Sequence, residues 1–363
     1  MGRRVVVVGA GPIGLAAAIG ALDRAFEVTV LEAGEVGASP RSWGTTRFFT
    51  PLWMNTTPRM HAILGDAIPD GDSLLTGPEY ADAVLRPLVE RDPLRGRVRT
   101  NTRVVSIVRK GLTRTDYAGH PLRGEKPFHI ATSDGDLIEA DIVLDATGNS
   151  AIPLPFSARP TTIDAIRTLG ALDVRKNELR GKQVVVVGHG HSAANALLVL
   201  QEMNAEITWV VRSANRRPCE EIANDPLPER QRVVAAANTL SSTVRVERRA
   251  SIESISGTTV QLTGGRSIEA DAIVALTGYR PANDFTSELA LETSPVSEGG
   301  ARLYRAISNI TDCLCVPQLA KEDFASGEPN YFFVGARAYG RSRTFLLQTG
   351  FAQVETILES LDD

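Results

Sequence analysis

The sequence predicts an α/β chain built from two parallel-sheet units, the second inserted into the first. Three observations lead there. Two valine runs, Val5 to Val8 and Val184 to Val187, each pass directly into a glycine-rich turn. Each turn opens a helical stretch, and each helix is followed by a second short apolar strand, Glu27 to Glu32 and Glu206 to Val211. Near the end, Tyr331 to Gly335 reads as a further strand and Phe345 to Leu361 as a helix, both returning to the first unit. Continuous apolar runs of this kind are strands covered on both faces, as in parallel sheets. The pattern is that of two Rossmann-like, three-layer ββα units. Residues 1–153 and 282–363 are expected in the first and residues 154–281 in the second.

The first turn, Gly9-Ala10-Gly11-Pro12-Ile13-Gly14, has the Gly-x-Gly-x-x-Gly spacing of a dinucleotide loop. Gly9 permits the tight turn, Gly11 lets backbone approach a pyrophosphate, and Gly14 lets the helix pack against the strand. That helix, Leu15 to about Ala25, offers free N–H groups and a positive dipole end to phosphate. Glu32 ends the next strand, where a carboxylate accepts hydrogen bonds from ribose hydroxyls. The basic, then apolar, opening has some likeness to a leader peptide. The glycines and Pro12 interrupt its apolar run and Asp23 and Arg24 restore charge, so it reads as structured chain.

The second turn, Gly188-His189-Gly190-His191-Ser192-Ala193, carries alanine at the third position, which the fingerprint tolerates. Its helix is expected from Ser192 to about Glu202. The following strand ends in Arg212, with Arg216 and Arg217 close behind. A guanidinium where an acid would hold the 2′-hydroxyl suits a 2′-phosphate, so NADPH is expected rather than NADH. His189 and His191 read as loop residues beside the pyrophosphate or solvent. No third ligand stands at zinc-like spacing, and no metal is expected. Two dinucleotides on one chain imply electron transfer between them, from a visiting nicotinamide to a bound flavin.

Composition narrows the classes. The formal charge of −4 and pI near 5.9 give no surface for nucleic acid. No apolar stretch is long enough to span a bilayer, and no targeting segment is evident, so a cytoplasmic location is expected. The cysteines are Cys219, Cys313 and Cys315, with no Cys-x-x-Cys. Cys313 and Cys315 would share one face of an extended segment, a poor geometry for a redox pair, so structural thiols are expected.

Between the turns, Arg103 to Val108 and Phe128 to Thr132 read as strands of an inserted antiparallel meander. Asp141 to Asp145 is a strand leading into Ala146-Thr147-Gly148, at the carboxyl end where cofactor crevices lie. Pro153, Pro155 and Pro160 punctuate the crossing to the second unit. There, Val244 to Arg248 and Val260 to Leu262 are strand candidates, and Ala270 to Leu276 runs into Thr277-Gly278. The two Thr-Gly exits form an internal repeat of function.

These paired fingerprints, Thr-Gly exits and terminal strand–helix resemble the two-dinucleotide-binding-domain flavoproteins, among them thioredoxin-reductase-like enzymes and flavin-containing and Baeyer–Villiger monooxygenases. The chain is similar, too, to a bacterial set described as FAD-dependent oxidoreductases, through Arg41-Ser42-Trp43-Gly44, Gly190 to Leu197, Tyr339-Gly340-Arg341 and Thr344-Phe345-Leu346. The resemblance implies FAD extended in the first unit and NADPH docked on the second, with hydride passing to flavin N5. Cofactor contacts are then expected in the first unit from Gly9, Gly11, Pro12, Ile13, Gly14, Glu32, Ala33, Arg41, Trp43, Val104, Ala146, Thr147, Gly148, Gly335, Arg341, Thr344 and Phe345. In the second unit they are expected from Gly188, Gly190, His191, Ser192, Ala193, Arg212, Thr277 and Gly278.

Pro51 to Met60 looks like the Thr-Asn-Thr/Leu stretch of flavin-containing monooxygenases, with Asn55 at the asparagine that lies by the flavin edge. An amide there donates to a flavin-bound peroxide; the alternative is a loop asparagine making local turn bonds. Arg47 or Arg341 is expected to steer nicotinamide or an anionic substrate, and Trp43, Phe48, Phe49 and Trp53 to wall the flavin. The chain departs from the family in lacking the Phe-x-Gly-x-x-x-His signature before its second loop. It also departs in carrying Ala336 where many relatives carry the aspartate of Gly-Asp; the expectation is that backbone N–H groups or Arg337 substitute, or that FAD is held more weakly. The resemblance implies a flavin monooxygenase acting with O2 on a nitrogen or sulfur of a small molecule through a C4a-hydroperoxyflavin. A reductase for an external disulfide or quinone is the first alternative, and a non-catalytic redox sensor the second. Neither nucleic acid nor membrane is an expected partner, and a homodimer is compatible with the resemblance.

Overall fold

The computed structural model describes residues 2–361. The first valine run forms the strand Arg4–Val8 at the centre of a five-stranded parallel sheet. Its neighbours are Glu27–Leu31 on one side and Ile142–Asp145 on the other. Val98–Arg99 and Tyr331–Phe333 complete the two edges. Val5 to Val8 are all buried, as expected of a strand covered on both faces. The helices Pro12–Asp23 and Leu347–Glu359 pack together on one face, with Gly20 leaving room for Leu358.

The second valine run, Gln183–Val187, lies within a four-stranded parallel sheet between Glu206–Val210 and Ala272–Ala275, with Arg245–Glu247 at the far edge. Its alternation divides two cores. Val184 and Val186 join Trp209, Leu197 and Val233 on the helix side, whereas Val185 and Val187 join Ile252, Val260 and Ile268 on the other. That second face is covered by a three-stranded antiparallel sheet, Ile252–Ser256, Thr259–Leu262 and Arg266–Glu269. The expected meander is present as Val104–Arg109, Phe128–Thr132 and Leu137–Ala140.

The last strand of the first sheet, Tyr331–Phe333, comes from beyond the second sheet, so the second sheet is inserted in the first unit's sequence. The chain crosses twice. The two crossings pair as short antiparallel strands, Ile152–Pro153 with Tyr279–Arg280. Arg167 ties them further: its Nη2 donates to Leu154 O and, at 3.2 Å, to Thr277 Oγ1, while Tyr279 donates to Arg167 O at 2.5 Å.

The terminal helix begins at Leu347 rather than Phe345, because the segment before it, with Leu346 extended, turns in against Tyr339 and Gly350. Cys313–Cys315 is a 3-10 turn and not an extended segment, so the thiols do not share a strand face. Among the described residues no helix is long and apolar enough to cross a membrane.

Candidate active site

The first glycine loop is shaped by close backbone packing. Gly9 has φ +106°, and a Cβ there would lie 2.6 Å from Ala146 O. A Cβ on Gly14 would lie 1.9 Å from Gly9 O. Gly11 differs: a Cβ built on it meets nothing within 4 Å. The space beside Gly11 is therefore open, at a helix whose N-cap is Gly11 and has no side-chain cap. Its first-turn N–H groups are left for a ligand. Glu32 secures the loop from below, its Oε2 accepting from Ala10 N–H at 2.7 Å and its Oε1 from Gly34 N–H at 2.9 Å.

The second loop repeats this design. Gly188 has φ +124°, with Leu276 O 2.4 Å from its would-be Cβ, and Gly190 again faces open space. The helix His191–Glu202 also lacks a side-chain cap. Ala193 is fully buried in the third position. Trp209 Nε1 donates to Gly188 O at 2.7 Å and holds the turn.

The expected residues of the first unit converge only in part. Gly9, Gly14 and Ala146 are in contact. Ile13, Gly335 and Phe345 also meet, since Cβ atoms on Gly335 and Gly350 would strike Ile13 and Phe345. The Gly148 exit is tied to the Gly340-Arg341 segment by Asn149 Nδ2 donating to Gly340 O at 2.7 Å. Thr147 turns back on its own strand, its N–H and Oγ1 both donating to Asp145 Oδ1. Thr344 is buried beside Ser342, 2.8 Å between their hydroxyls. Val104 pairs with Thr132 in the meander, and Ala33 follows Glu32 at the strand end.

Other residues have different employment from the one expected. The Asn55 amide is buried and committed to its own loop. Nδ2 donates to Thr50 O at 3.0 Å and Pro51 O at 3.1 Å, Oδ1 accepts from Thr50 Oγ1, and Asn55 O accepts from Tyr80 OH. Both amide protons are used, so the local-bond alternative describes it and no donor is left for a peroxide. Arg47 donates to Leu74 O at 2.6 Å. Arg41 pairs with Asp82 at 2.6 Å, and Arg341 lies 3.5 Å from Glu298.

Arg337 does not replace the missing aspartate. It is fully buried and engaged elsewhere, its Nε donating to Asp145 Oδ2 at 2.9 Å and its Nη2 to Asn283 Oδ1 at 2.7 Å. Tyr331 OH donates to the same Asp145 oxygen at 2.8 Å. Thr277 likewise serves the crossings, donating to Leu154 O at 2.9 Å, and Gly278 O accepts from Leu154 N–H.

The expected aromatic wall is divided. Phe48 is buried between Trp43 and Tyr80. Phe49 packs edge-on against His191, 5.1 Å between ring centres, and joins the second unit's core. Trp53 is 53% exposed. The Arg41–Gly44 segment sits at the junction of the units: Ser42 O accepts from Gly170 N–H at 2.9 Å and Thr45 N–H donates to Asp173 at 2.6 Å. A second junction contact is Arg230, which pairs with Asp225 at 2.7 Å and donates to Cys313 Sγ at 3.3 Å. All three cysteines are free; burial pushes the Cys219 thiol up to about 11 and also raises Cys313. Neither is a ready thiolate.

A cavity of about 420 Å³ adjoins the second loop, lined by His189, Ser213, Asn215, Arg217, Pro218, Cys219, Glu220, Glu221 and Arg343. Partial burial, followed by the charges of Arg343 and Arg212, holds His189 below the ordinary imidazole range. His191 is lowered too, by desolvation and then by Arg230 and Arg343. Arg217 is spent on Glu221 at 2.8 Å, whereas the Arg212 side chain has no hydrogen bond or ion pair among the described residues. Sequence reasoning missed Ser213, Asn215, Glu220 and Arg343. The first three follow the strand Glu206–Val210 and were within reach of the motif; Arg343 lies far along the chain and carried no signal.

Comparison with known proteins fits this architecture. Residues 6–300 match the family model described as pyridine nucleotide-disulphide oxidoreductase. No curated protein matches the sequence significantly. Among solved structures, the fold is similar to bacillithiol disulfide reductase Bdr (YpdA) from Bacillus cereus, with TM-score 0.74 and 19% identity, over 100% of this chain and 99% of that one. It is similar to a flavin monooxygenase from Stenotrophomonas maltophilia, with TM-score 0.68 and 19% identity, over 100% and 99% of the two chains. It is similar also to T. acidophilum thioredoxin reductase, with TM-score 0.63 and 17% identity, over 99% and 100%. The family match runs through both glycine loops and both crossings between the sheets, and the chain belongs to the pyridine nucleotide-disulphide oxidoreductase family.

Proposed function

We propose that the chain is an FAD- and NADPH-dependent oxidoreductase that passes electrons to a small acceptor arriving from solution. One observation carries the reading: Gly11 and Gly190 both face open space at uncapped helix N-termini, each beneath a parallel sheet of its own. Two such cradles fit two dinucleotides. FAD, when bound, supplies the step that accepts hydride from NADPH and returns two electrons to an acceptor. The protein's own part is to hold and orient. Gly9 to Gly14 and Glu32 would hold the flavin's pyrophosphate and ribose; Gly188 to Ala193 and Arg212 would hold the nicotinamide dinucleotide. Ala336 brings no carboxylate and Arg337 is engaged by Asp145 and Asn283, so neither side chain supplies the acid that many relatives carry at this end.

The favoured acceptor is a low-molecular-weight disulfide, reduced by NADPH and a proton to two thiols. The chain has no paired thiols to relay electrons to a protein substrate, and its fold is similar over full length to a reductase named for such a disulfide. Oxygenation of nitrogen or sulfur is the second reading, supported by the full-length likeness to the flavin monooxygenase. It is weakened by Asn55, whose amide protons are both engaged. Anaerobic mixing of FAD-loaded protein with NADPH should bleach the flavin absorbance, and a small disulfide should then restore it with two thiols formed per NADPH. Restoration by O2 alone, with an oxygenated amine or thioether found by mass, would select the second reading. No bleaching by NADPH would sink both.

A further inference from the structure

We propose that Arg343, carried by the first unit, binds the pyrophosphate of the dinucleotide held on the second unit's loop, so that this site is assembled from both units. The proposal rests on the reading of Gly188 to Ala193 as a dinucleotide loop.

Arg343 lies between the helices Ala336–Tyr339 and Leu347–Glu359 and lines the 420 Å³ cavity beside His189. The other lining residues all come from the inserted unit. Nearby arginines of its own segment are engaged: Arg337 on Asp145, Arg341 near Glu298. The Arg343 guanidinium has no hydrogen bond or ion pair among the described residues. Its charge nonetheless reaches the loop, contributing to the lowered basicity of both His189 and His191, the residues on either side of Gly190. Gly190 is where the loop leaves space for a ligand. A planar guanidinium lining the cavity beside His189, one residue from Gly190, can match two phosphate oxygens at once.

The lining narrows the ligand further. Glu221 is occupied by Arg217 and Asn238, but the Glu220 carboxylate has no partner among the described residues. A free carboxylate repels a bare phosphate and accepts from hydroxyls. A guanidinium and a carboxylate in one cavity therefore suit a nucleotide, with phosphate and ribose on one molecule. Arg212, beyond the second strand, is left for the 2′-phosphate.

The test uses FAD-loaded protein, so that the first loop is filled. NADP+ and adenosine 2′-phosphate are titrated into the wild type, Arg343→Ala and Arg343→Lys, following binding by calorimetry. We expect Arg343→Ala to weaken NADP+ about ten- to hundred-fold, the loss of a charge-assisted bond to phosphate. Arg343→Lys should fall between, and adenosine 2′-phosphate should bind all three equally. Unchanged NADP+ affinity in Arg343→Ala would overturn the proposal. Equal weakening of both ligands would overturn the pyrophosphate assignment, placing Arg343 on the 2′-phosphate. If the wild type bound neither ligand, the dinucleotide reading itself would fall, and this proposal with it.

Discussion

The two sheet exits occupy matching positions and have opposite chemistry. Val8 stands beside Asp145 in the first sheet, and Val187 stands beside Ala275 in the second. One residue on, Ala146 O and Leu276 O each lie against the first glycine of their loop. The Thr-Gly pairs follow in both. Yet Asp145 anchors a buried network with Arg337, Tyr331 and Thr147, whereas Ala275 anchors nothing and Thr277 ties the crossings. The backbone solution to phosphate binding is thus held constant while the surrounding side chains are free to differ. The first exit is paired in space with a strand that arrives almost two hundred residues later, and a buried charge pair fixes that docking. The second exit, on an edge strand, has no late-arriving strand to fix among the described residues, and Thr277 serves the crossings.

The largest effect should come from breaking this difference. Asp145→Ala leaves Arg337 buried without its carboxylate, and should cost about 3–5 kcal/mol. Denaturant unfolding of the variant would measure it. Ala275→Ser, at the matching place, should cost much less, about 1 kcal/mol, for burying a hydroxyl. Similar costs at both positions would show that the two exits are not as different as their side chains suggest.

Next in size is the third loop position. Gly14→Ala would put a Cβ 1.9 Å from Gly9 O, where backbone cannot yield easily. We expect a loss of about 1–3 kcal/mol from overpacking, with loss of bound FAD. The second loop already holds a fully buried Ala193 at that position. Gly11→Ala, facing open space, should leave the melting temperature nearly unchanged and still weaken FAD retention. A Gly14→Ala protein that melts normally and keeps its flavin would remove the steric argument.

Much of this was legible in the sequence because backbone rules govern it. Val5 to Val8 and Val184 to Val187 could only be strands covered on both faces, and the glycines could only be turns with close neighbours. Tyr331 to Phe333 and the terminal helix were readable from apolar spacing, and the order of elements then implied the insertion. Short helices such as Pro58–Leu64 and Leu169–Arg175 were not read, since one or two turns give too little periodicity. The side-chain roles were less legible. Asn55 looked like a flavin-edge donor because its flanks resembled one, but hydrogen bonds to Thr50 and Pro51 are set by how the loop folds. Arg337 stood one residue from Ala336 and seemed a natural replacement; only the approach of Asp145 from another strand shows why it turns inward. Pairings across long sequence separations leave no local pattern.

The first unit presents an acid where the second presents a base. Glu32 follows one strand, Glu27–Leu31, and Arg212 lies two residues past the other, Glu206–Val210. Arg212→Ala should weaken NADPH about tenfold while leaving NADH nearly unchanged, since a 2′-phosphate contact is lost in only one of them. Steady-state KM for each nucleotide reads this directly. Equal loss for both would assign Arg212 to a shared part of the dinucleotide.

The smallest effect concerns protons, and it separates the loops because only the second carries histidine. Burial and the charges of Arg343 and Arg212 depress His189, so in the folded, unliganded protein it is neutral at pH 7 and protonates only below the ordinary imidazole range. A group lowered in this way stabilises the fold above the unfolded value of about 6.5 and loses that contribution as pH falls toward its folded value. A bound pyrophosphate reverses the local field. It raises His189 again, so binding in that same acidic window takes up a fraction of a proton and tightens as pH falls. NAD+ is the right probe, because its pyrophosphate stays fully ionised there and it has no 2′-phosphate to titrate. Its affinity for the FAD-loaded protein should rise by less than about tenfold per pH unit going down from pH 6.5, and should be flat between pH 7.5 and 8.5. His189→Asn should flatten the acidic limb, leaving only what His191 contributes. An unchanged slope in that variant would place the titrating group elsewhere and remove His189 from the field that the arginines create.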